Sequence, residues 1–191
     1  MVYAIAGKTA SGKDTVAKYL HDEYHIPFLV SYTTRPKREY ETDGVEHFFV
    51  TEDKAKEITQ NYTECLAVTK INGYSYFTLP SQAMWEDYIY IIDPNGINYI
   101  KENFPEIDML SFYVDCPEDL IIERAATRGD DLTIVNSRLA SERDQMNDFF
   151  NSQGFDFYLS NTTSKQALLS KVQFLMDFGT KFPAIFKHIS A

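Results

Sequence analysis

Cysteine is nearly missing from this chain: Cys65 and Cys116 are the only two among 191 residues. Two isolated thiols fit no zinc spacing and no disulfide framework, so the expected location is a reducing cytoplasm. Cations are scarce as well, with 18 Lys and Arg against 28 Asp and Glu, a formal net charge of -10. That balance excludes broad nonspecific binding to nucleic acid or to an anionic membrane surface. A small anion needs only a local cation cluster and is still allowed. Long apolar runs are lacking too. No stretch approaches the ~20 apolar residues of a membrane span. The start, "MVYAIAGK", is too short in its apolar part for a signal peptide and has no basic leader. His21, His25 and His188 show no metal spacing. No Ser-His or Cys-His pair stands out, and there are no internal repeats or low-complexity segments.

What is present is a rhythm. Short apolar runs at 2–6, 28–31, 88–93, 109–115 and 155–160 suit buried parallel strands. Helical stretches follow at about 13–24, 95–103, 117–128, 131–150 and 163–178. In the first, Val16, Tyr19, Leu20 and Tyr24 share one face. The alternation predicts a five-stranded parallel sheet covered on both faces, an α/β fold. Residues 32–82 break it. "EHFFVT" reads as a strand, Thr51 as the cap of a helix starting at Glu52, and "ECLAVTKINGYSYFT" as a hairpin around Asn72-Gly73. This region is expected to form an inserted lobe. Gly179 and Pro183 are expected to end the last helix near 178, with Phe182, Ile185 and Phe186 packing on the core or on a partner.

"GKTASGKDT", residues 7–15, lies between the first strand and the first helix. Its Gly-x-x-x-x-Gly-Lys spacing is that of a phosphate-binding loop. Such a loop converges backbone N–H groups on a polyphosphate and adds a helix N-terminus. Gly7, Ser11, Gly12, Lys13, Asp14 and Thr15 are the expected ATP ligands, with Lys13 reaching the β/γ-phosphates. Asp14 stands where Ser or Thr is usual. A carboxylate is also a hard oxygen donor and can hold Mg²⁺ directly or through water.

"SYTTRPKREYETDGVEHFF", residues 31–49, places Arg35, Lys37 and Arg38 within four positions. By itself the cluster fits either a solvated loop or a site for a doubly charged anion, which arginine's planar fork suits.

This stretch resembles the guanylate kinase family, whose pattern is approximately S-x-T-T-R-x-x-R-x-x-E-x-x-G. Ser31, Thr33, Thr34, Arg35, Arg38, Glu41 and Gly44 fall in register. "YSYFT" is similar to the family's Y-x-G-T segment and "IIDPNG" to its D-x-x-G. "ERAATRGDD" followed by "IVNSRL" is similar to the arginine-bearing lid, and "YLSN" to the segment near adenine. The resemblance spans about 2–176. It implies a P-loop fold with core 1–31, 83–123 and 146–191, a monophosphate lobe 32–82 and a lid 124–145. It implies that Arg35, Arg38 and Glu41 serve the acceptor phosphate, together with Tyr76 and with His47, which replaces a tyrosine. Ser31, Glu64 and Thr78 would read the base edge, Glu64 accepting from two guanine donors. Asp93 would organise Mg²⁺ waters or the nucleoside, and Asn161 would lie near adenine. Arg124, Arg128 and Arg138 would close over the transferring group. Arg124 and Arg128, four apart on a helix, also fit salt bridges with Glu118, Asp119 or Glu123. Arg143 matches no motif and is read as structural.

The implied reaction takes ATP, with Mg²⁺, and a nucleoside monophosphate, GMP or dGMP first, in a monomer or homodimer. Phe77 stands where the family has glycine, and with His47 it leaves room for another small phosphate, such as a phosphorylated sugar. A silent guanylate-kinase-like binding module is the third reading, although such modules typically lose the loop that Gly7, Gly12 and Lys13 keep here.

Overall fold

Val2–Ala6 (β1) is apolar throughout because both faces of the strand are covered: Val2, Ala4, Ile5 and Ala6 are all buried. The computed structural model describes residues 1–39, 41–60, 65–71, 73–83, 86–152 and 154–181, with side chains for all of these but 71, 144–152 and 179–181. In chain order the elements after β1 are α1 (Lys13–Tyr24), β2 (Tyr32–Thr33), β3 (Phe48–Phe49), α2 (Glu52–Thr59), β4 (Ala67–Ile71) and β5 (Tyr74–Thr78). Then follow β6 (Tyr88–Ile91), α3 (Pro94–Asn103), β7 (Met109–Asp115), α4 (Glu118–Arg128), α5 (Leu132–Ser152), β8 (Phe157–Ser160) and α6 (Lys165–Lys181). No helix among the described residues is long and apolar enough to cross a membrane.

The main sheet is parallel, in the order β6-β1-β7-β8. Alternate residues feed two cores. On one face Val2, Ala4 and Ala6 pack with Tyr90, Tyr113 and with Ile97 and Ile100 of α3. On the other, Ile5, Ile89, Phe112 and Val114 meet Val16 and Leu20 of α1 and Leu168 and Val172 of α6. The apolar face expected for α1 is therefore the buried one.

The sheet has four strands where five were expected. The fifth is reduced to a bridge between Phe28 and Ile89, with Leu29 N–H on the Ile89 carbonyl and Ile89 N–H on the Pro27 carbonyl. Pro27 has no N–H to extend the ladder, and the chain soon turns into the lobe. β8 starts at Phe157 rather than 155 because the Asp156 carboxylate takes the N–H and hydroxyl of Ser111, at 2.7 and 2.6 Å. α6 runs through Gly179 to Lys181. A helical glycine costs only about 1 kcal/mol, so Gly179 does not end the helix. The tail 182–191 lies outside the described residues.

The insertion forms its own mixed sheet, β3-β2-β5-β4. Its hairpin, β4 and β5, turns at Gly73 with φ 82°. Thr51 caps α2, its side chain accepting from Lys54 N–H at 3.2 Å.

Candidate functional site

The loop between β1 and α1 needs glycine at both ends for specific reasons. A Cβ on Gly7 would stand 2.8 Å from the Val114 carbonyl, so the loop passes directly over β7. Gly12 has φ 103°, and a Cβ there would meet the Asn161 amide at 2.5 Å. Ala10 also sits in the left-handed region, φ 55°, strained for a residue with a Cβ. Inside the loop Ser11 N–H donates to the Lys8 carbonyl at 3.1 Å, and Lys13 Nζ lies 3.4 Å from that same oxygen. The Ser11 hydroxyl is fully buried and has no hydrogen-bond partner among the described residues. An orphaned buried polar atom in a loop of this kind fits a polar ligand. Asp14 is exposed in the first turn of α1, and Thr15 N–H turns back to the Gly12 carbonyl.

Carboxylates from distant helices also hold this loop. Glu142 of α5 accepts from Thr9 N–H at 2.7 Å. Glu118 of α4 accepts from Lys8 at 2.7 Å and from Arg143 at 2.6 Å. The two cations push the Glu118 carboxyl down to about 2. Arg143 is thus structural, as expected. Glu118 and Glu142 were not anticipated as loop neighbours, because nothing in a sequence pattern pairs residues more than 100 positions apart.

The lobe assembles the second cluster. Arg35 binds Glu41 through both terminal nitrogens, at 2.9 and 2.7 Å, and reaches the Tyr76 hydroxyl at 3.1 Å and the Pro36 carbonyl at 2.8 Å. Its guanidinium also sits 5.4 Å from the Phe49 ring centroid. Glu41 is buried and additionally accepts from Arg38 N–H at 2.8 Å. The Arg35 hydrogen bonds hold the Glu41 carboxyl well below its ordinary range, at about 2, while Glu41 raises Arg35. His47 Nδ1 and Ser31 Oγ are 2.8 Å apart, and the His47 ring meets Tyr76 edge-on. Burial, and then the Arg35 charge, lower the His47 pKa. Ser31, Arg35, Glu41, His47 and Tyr76 are therefore one group, with the exposed Arg38 side chain at its margin.

Other expected site residues stand apart from that group. Thr78 is fully buried, its hydroxyl 3.0 Å from that of Tyr90 at the junction of lobe and core. Asp93 caps α3, one carboxylate oxygen accepting from Gly96 N–H at 2.9 Å. The lid arginines do not converge. Arg124 donates to the carbonyls of Asn161 and Thr163, both at 3.2 Å, and contacts Cys116 Sγ. Arg128 pairs with Asp130 at 2.6 Å, and Arg138 is exposed on α5. Neither Arg124 nor Arg128 takes the acidic partners expected for a purely structural pair. Asn161 donates its amide to the Ser11 carbonyl at 2.7 Å. Glu64 lies outside the described residues.

A parallel α/β sheet with a phosphate loop after its first strand, and an inserted lobe bearing a second cationic cluster, defines a P-loop protein of the kinase type. The family model described as guanylate kinase matches residues 2–177. A guanylate kinase of Helicobacter hepaticus is 33% identical over 178 residues, covering 88% of each chain. One from Wolinella succinogenes is 29% identical, covering 87% of this chain and 79% of its own. The crystal structure of a guanylate kinase from Anaplasma phagocytophilum superposes with a TM-score of 0.64 at 15% identity, covering 92% of this chain and 84% of that one. This chain belongs to the guanylate kinase family.

Proposed function

We propose that the protein transfers the terminal phosphoryl group of ATP to GMP or dGMP, giving ADP and the nucleoside diphosphate. The observation that carries this reading is the lobe cluster: Ser31, Arg35, Glu41, His47 and Tyr76 gather in one place, joined to a sheet that carries a phosphate loop. Gly7, Ser11, Gly12, Lys13 and Thr15 form the ATP phosphate site, and Asn161 belongs to its nucleotide side. Arg35, Arg38, His47 and Tyr76 take the acceptor phosphate. Ser31, Glu64 and Thr78 serve the base.

Among the described residues no three His, Cys, Asp or Glu gather into a metal cage. That suits Mg²⁺, which prefers one or two carboxylates completed by phosphate oxygens and water. Asp14 is exposed beside Lys13, and the second oxygen of Asp93 has no hydrogen bond among the described residues. Both are hard donors and fit the ion. Bound there, Mg²⁺ would supply positive charge to the bridging phosphate oxygens.

An acceptor phosphate is already an anion, so the transfer needs no strong base. Alignment and charge stabilisation supply the rate. Lys13 neutralises charge on the transferring group. Arg124, Arg128 and Arg138 belong to a lid, residues 124–145, whose closure with lobe 32–82 keeps water from intercepting the phosphoryl group.

The test is ADP release from Mg·ATP with a panel of nucleoside monophosphates and sugar phosphates. Turnover restricted to GMP and dGMP is the expected result. Turnover only with a sugar phosphate would move the acceptor assignment. No turnover with any acceptor would leave a binding module.

A further inference from the structure

We infer that Asn161 is a positioning residue for the phosphate loop, acting through the Ser11 carbonyl to aim the Gly12 N–H at bound polyphosphate. The inference rests on reading residues 7–15 as a polyphosphate site.

A loop that binds an anion must turn its N–H groups inward, so its carbonyls need partners elsewhere. In a trans peptide the C=O and the following N–H point in opposite directions. At the start of α1, Thr15 and Val16 both donate to the Gly12 carbonyl. The Ser11 carbonyl is bypassed by the helix and takes the Asn161 side-chain amide instead, at 2.7 Å. Holding that oxygen on Asn161 fixes the Gly12 N–H away from Asn161. A peptide flipped about this point would present an oxygen, not a donor, to phosphate.

Asn161 is built to hold still. It is 7% exposed, directly after β8. Its own N–H donates to the Asp115 carbonyl at 2.7 Å. Its carbonyl accepts from Arg124, whose other terminal nitrogen grips the Thr163 carbonyl. The amide nitrogen also packs on Gly12 so closely that a Cβ there would lie 2.5 Å from it. Arg124 is therefore linked to the loop through Asn161.

The experiment measures Kd by calorimetry for Mg·ATP, for inorganic tripolyphosphate with Mg²⁺, and for GMP. The proteins are the native chain, Asn161→Ala and Asn161→Asp. The aspartate keeps the shape but points an oxygen at the Ser11 carbonyl. A residue that aims the loop weakens ATP and tripolyphosphate by one common factor, about tenfold, and more for Asp than Ala. GMP affinity then stays native, which also shows that the lobe is folded. If ATP weakens while tripolyphosphate stays within twofold of native, Asn161 reads the base and the inference is overturned. Native protein that binds neither ATP nor tripolyphosphate would instead overturn the polyphosphate reading itself. Where both variants fold poorly, Arg124→Lys removes one of the two carbonyl anchors and is read the same way: a common weakening supports the inference, and unchanged tripolyphosphate binding refutes it.

Discussion

Replacing Glu142 with glutamine is expected to tighten ATP binding while weakening the fold. The Glu142 carboxylate accepts from Thr9 N–H at 2.7 Å, a charge-assisted hydrogen bond in a half-buried place. If ATP binds residues 7–15 as proposed, its phosphates draw on the N–H groups of that loop, and Thr9 N–H is one of these. A phosphate oxygen there sits about 3 Å from the nitrogen, hence roughly 5 Å from the carboxylate if Glu142 stays. Two unit charges at 5 Å repel by about 3 kcal/mol at an effective dielectric of 20. If Glu142 leaves, a hydrogen bond to a charged group is given up, about 1.5–3 kcal/mol. Solvent and the nearby Lys13 reduce either penalty, so about 1.5 kcal/mol of ATP affinity is recoverable, or roughly tenfold in Kd. Glutamine keeps the shape and loses the charge. The stability cost is about 1 kcal/mol, the difference between a charged and a neutral acceptor. Calorimetric titration of Mg·ATP into both proteins, beside thermal melts, reads both effects. Unchanged or weaker ATP binding by Glu142→Gln would refute the reasoning, because it would mean that carboxylate and phosphate do not compete.

Three further outcomes are expected. Lys13→Ala should lower kcat by about 10²–10³-fold, as loss of a transition-state charge partner does. Its melting temperature should stay native, since among the described residues the Lys13 ammonium makes one long hydrogen bond, 3.4 Å to the Lys8 carbonyl; a near-native kcat would remove Lys13 from the mechanism. Glu64→Gln should cost GMP roughly 10⁴-fold in kcat/KM, because guanine's paired donors lose their acceptor, and equal effects on AMP would show that Glu64 does not touch the base. For His47, burial and Arg35 lower the pKa, so the ring is neutral in the free protein near pH 7.5 and destabilises the fold as pH falls below about 6.5. A dianionic acceptor favours the charged ring, so binding takes up protons and acceptor Kd improves from pH 8 toward 6.5. Identical Kd–pH slopes for native protein and His47→Tyr would exclude His47 as a phosphate ligand.

The strands and helices of the core were legible because burial on both faces leaves continuous apolar runs, as in β1 and β7, and because Thr51 and Gly73 carry local turn and cap chemistry. The lobe cluster was legible because the spacing of Arg35, Arg38 and Glu41 is itself a motif. Failures came where tertiary contacts outvoted local signals. The Phe28 segment is apolar enough for a strand, yet Pro27 and the turn into the lobe leave it a bridge. Gly179 looked like a stop, but α6 runs past it, since one helical glycine costs only about 1 kcal/mol. The Glu142 contact with Thr9 spans 133 residues, and the Asn161 contact with Ser11 spans 150. No periodicity or spacing encodes pairs at that distance.

The two proposed anion sites share a feature: each already holds one of the protein's own carboxylates. They differ in what a phosphate must do about it. A guanidinium has five N–H donors. Arg35 spends two on Glu41, one on Tyr76 and one on Pro36, which leaves a single Nη2 donor among the described contacts. Glu41 also holds Arg38 N–H and is buried, so removing it would strand charge inside the lobe. An acceptor phosphate therefore gains most by joining the pair, taking the spare Arg35 donor while Arg38 and His47 provide the rest. Thr9 N–H has one proton and no spare. There a phosphate would compete with Glu142 for the one proton, the competition that Glu142→Gln removes. On the proposed reading the acceptor site fills beside its carboxylate, whereas the donor site sets phosphate against Glu142.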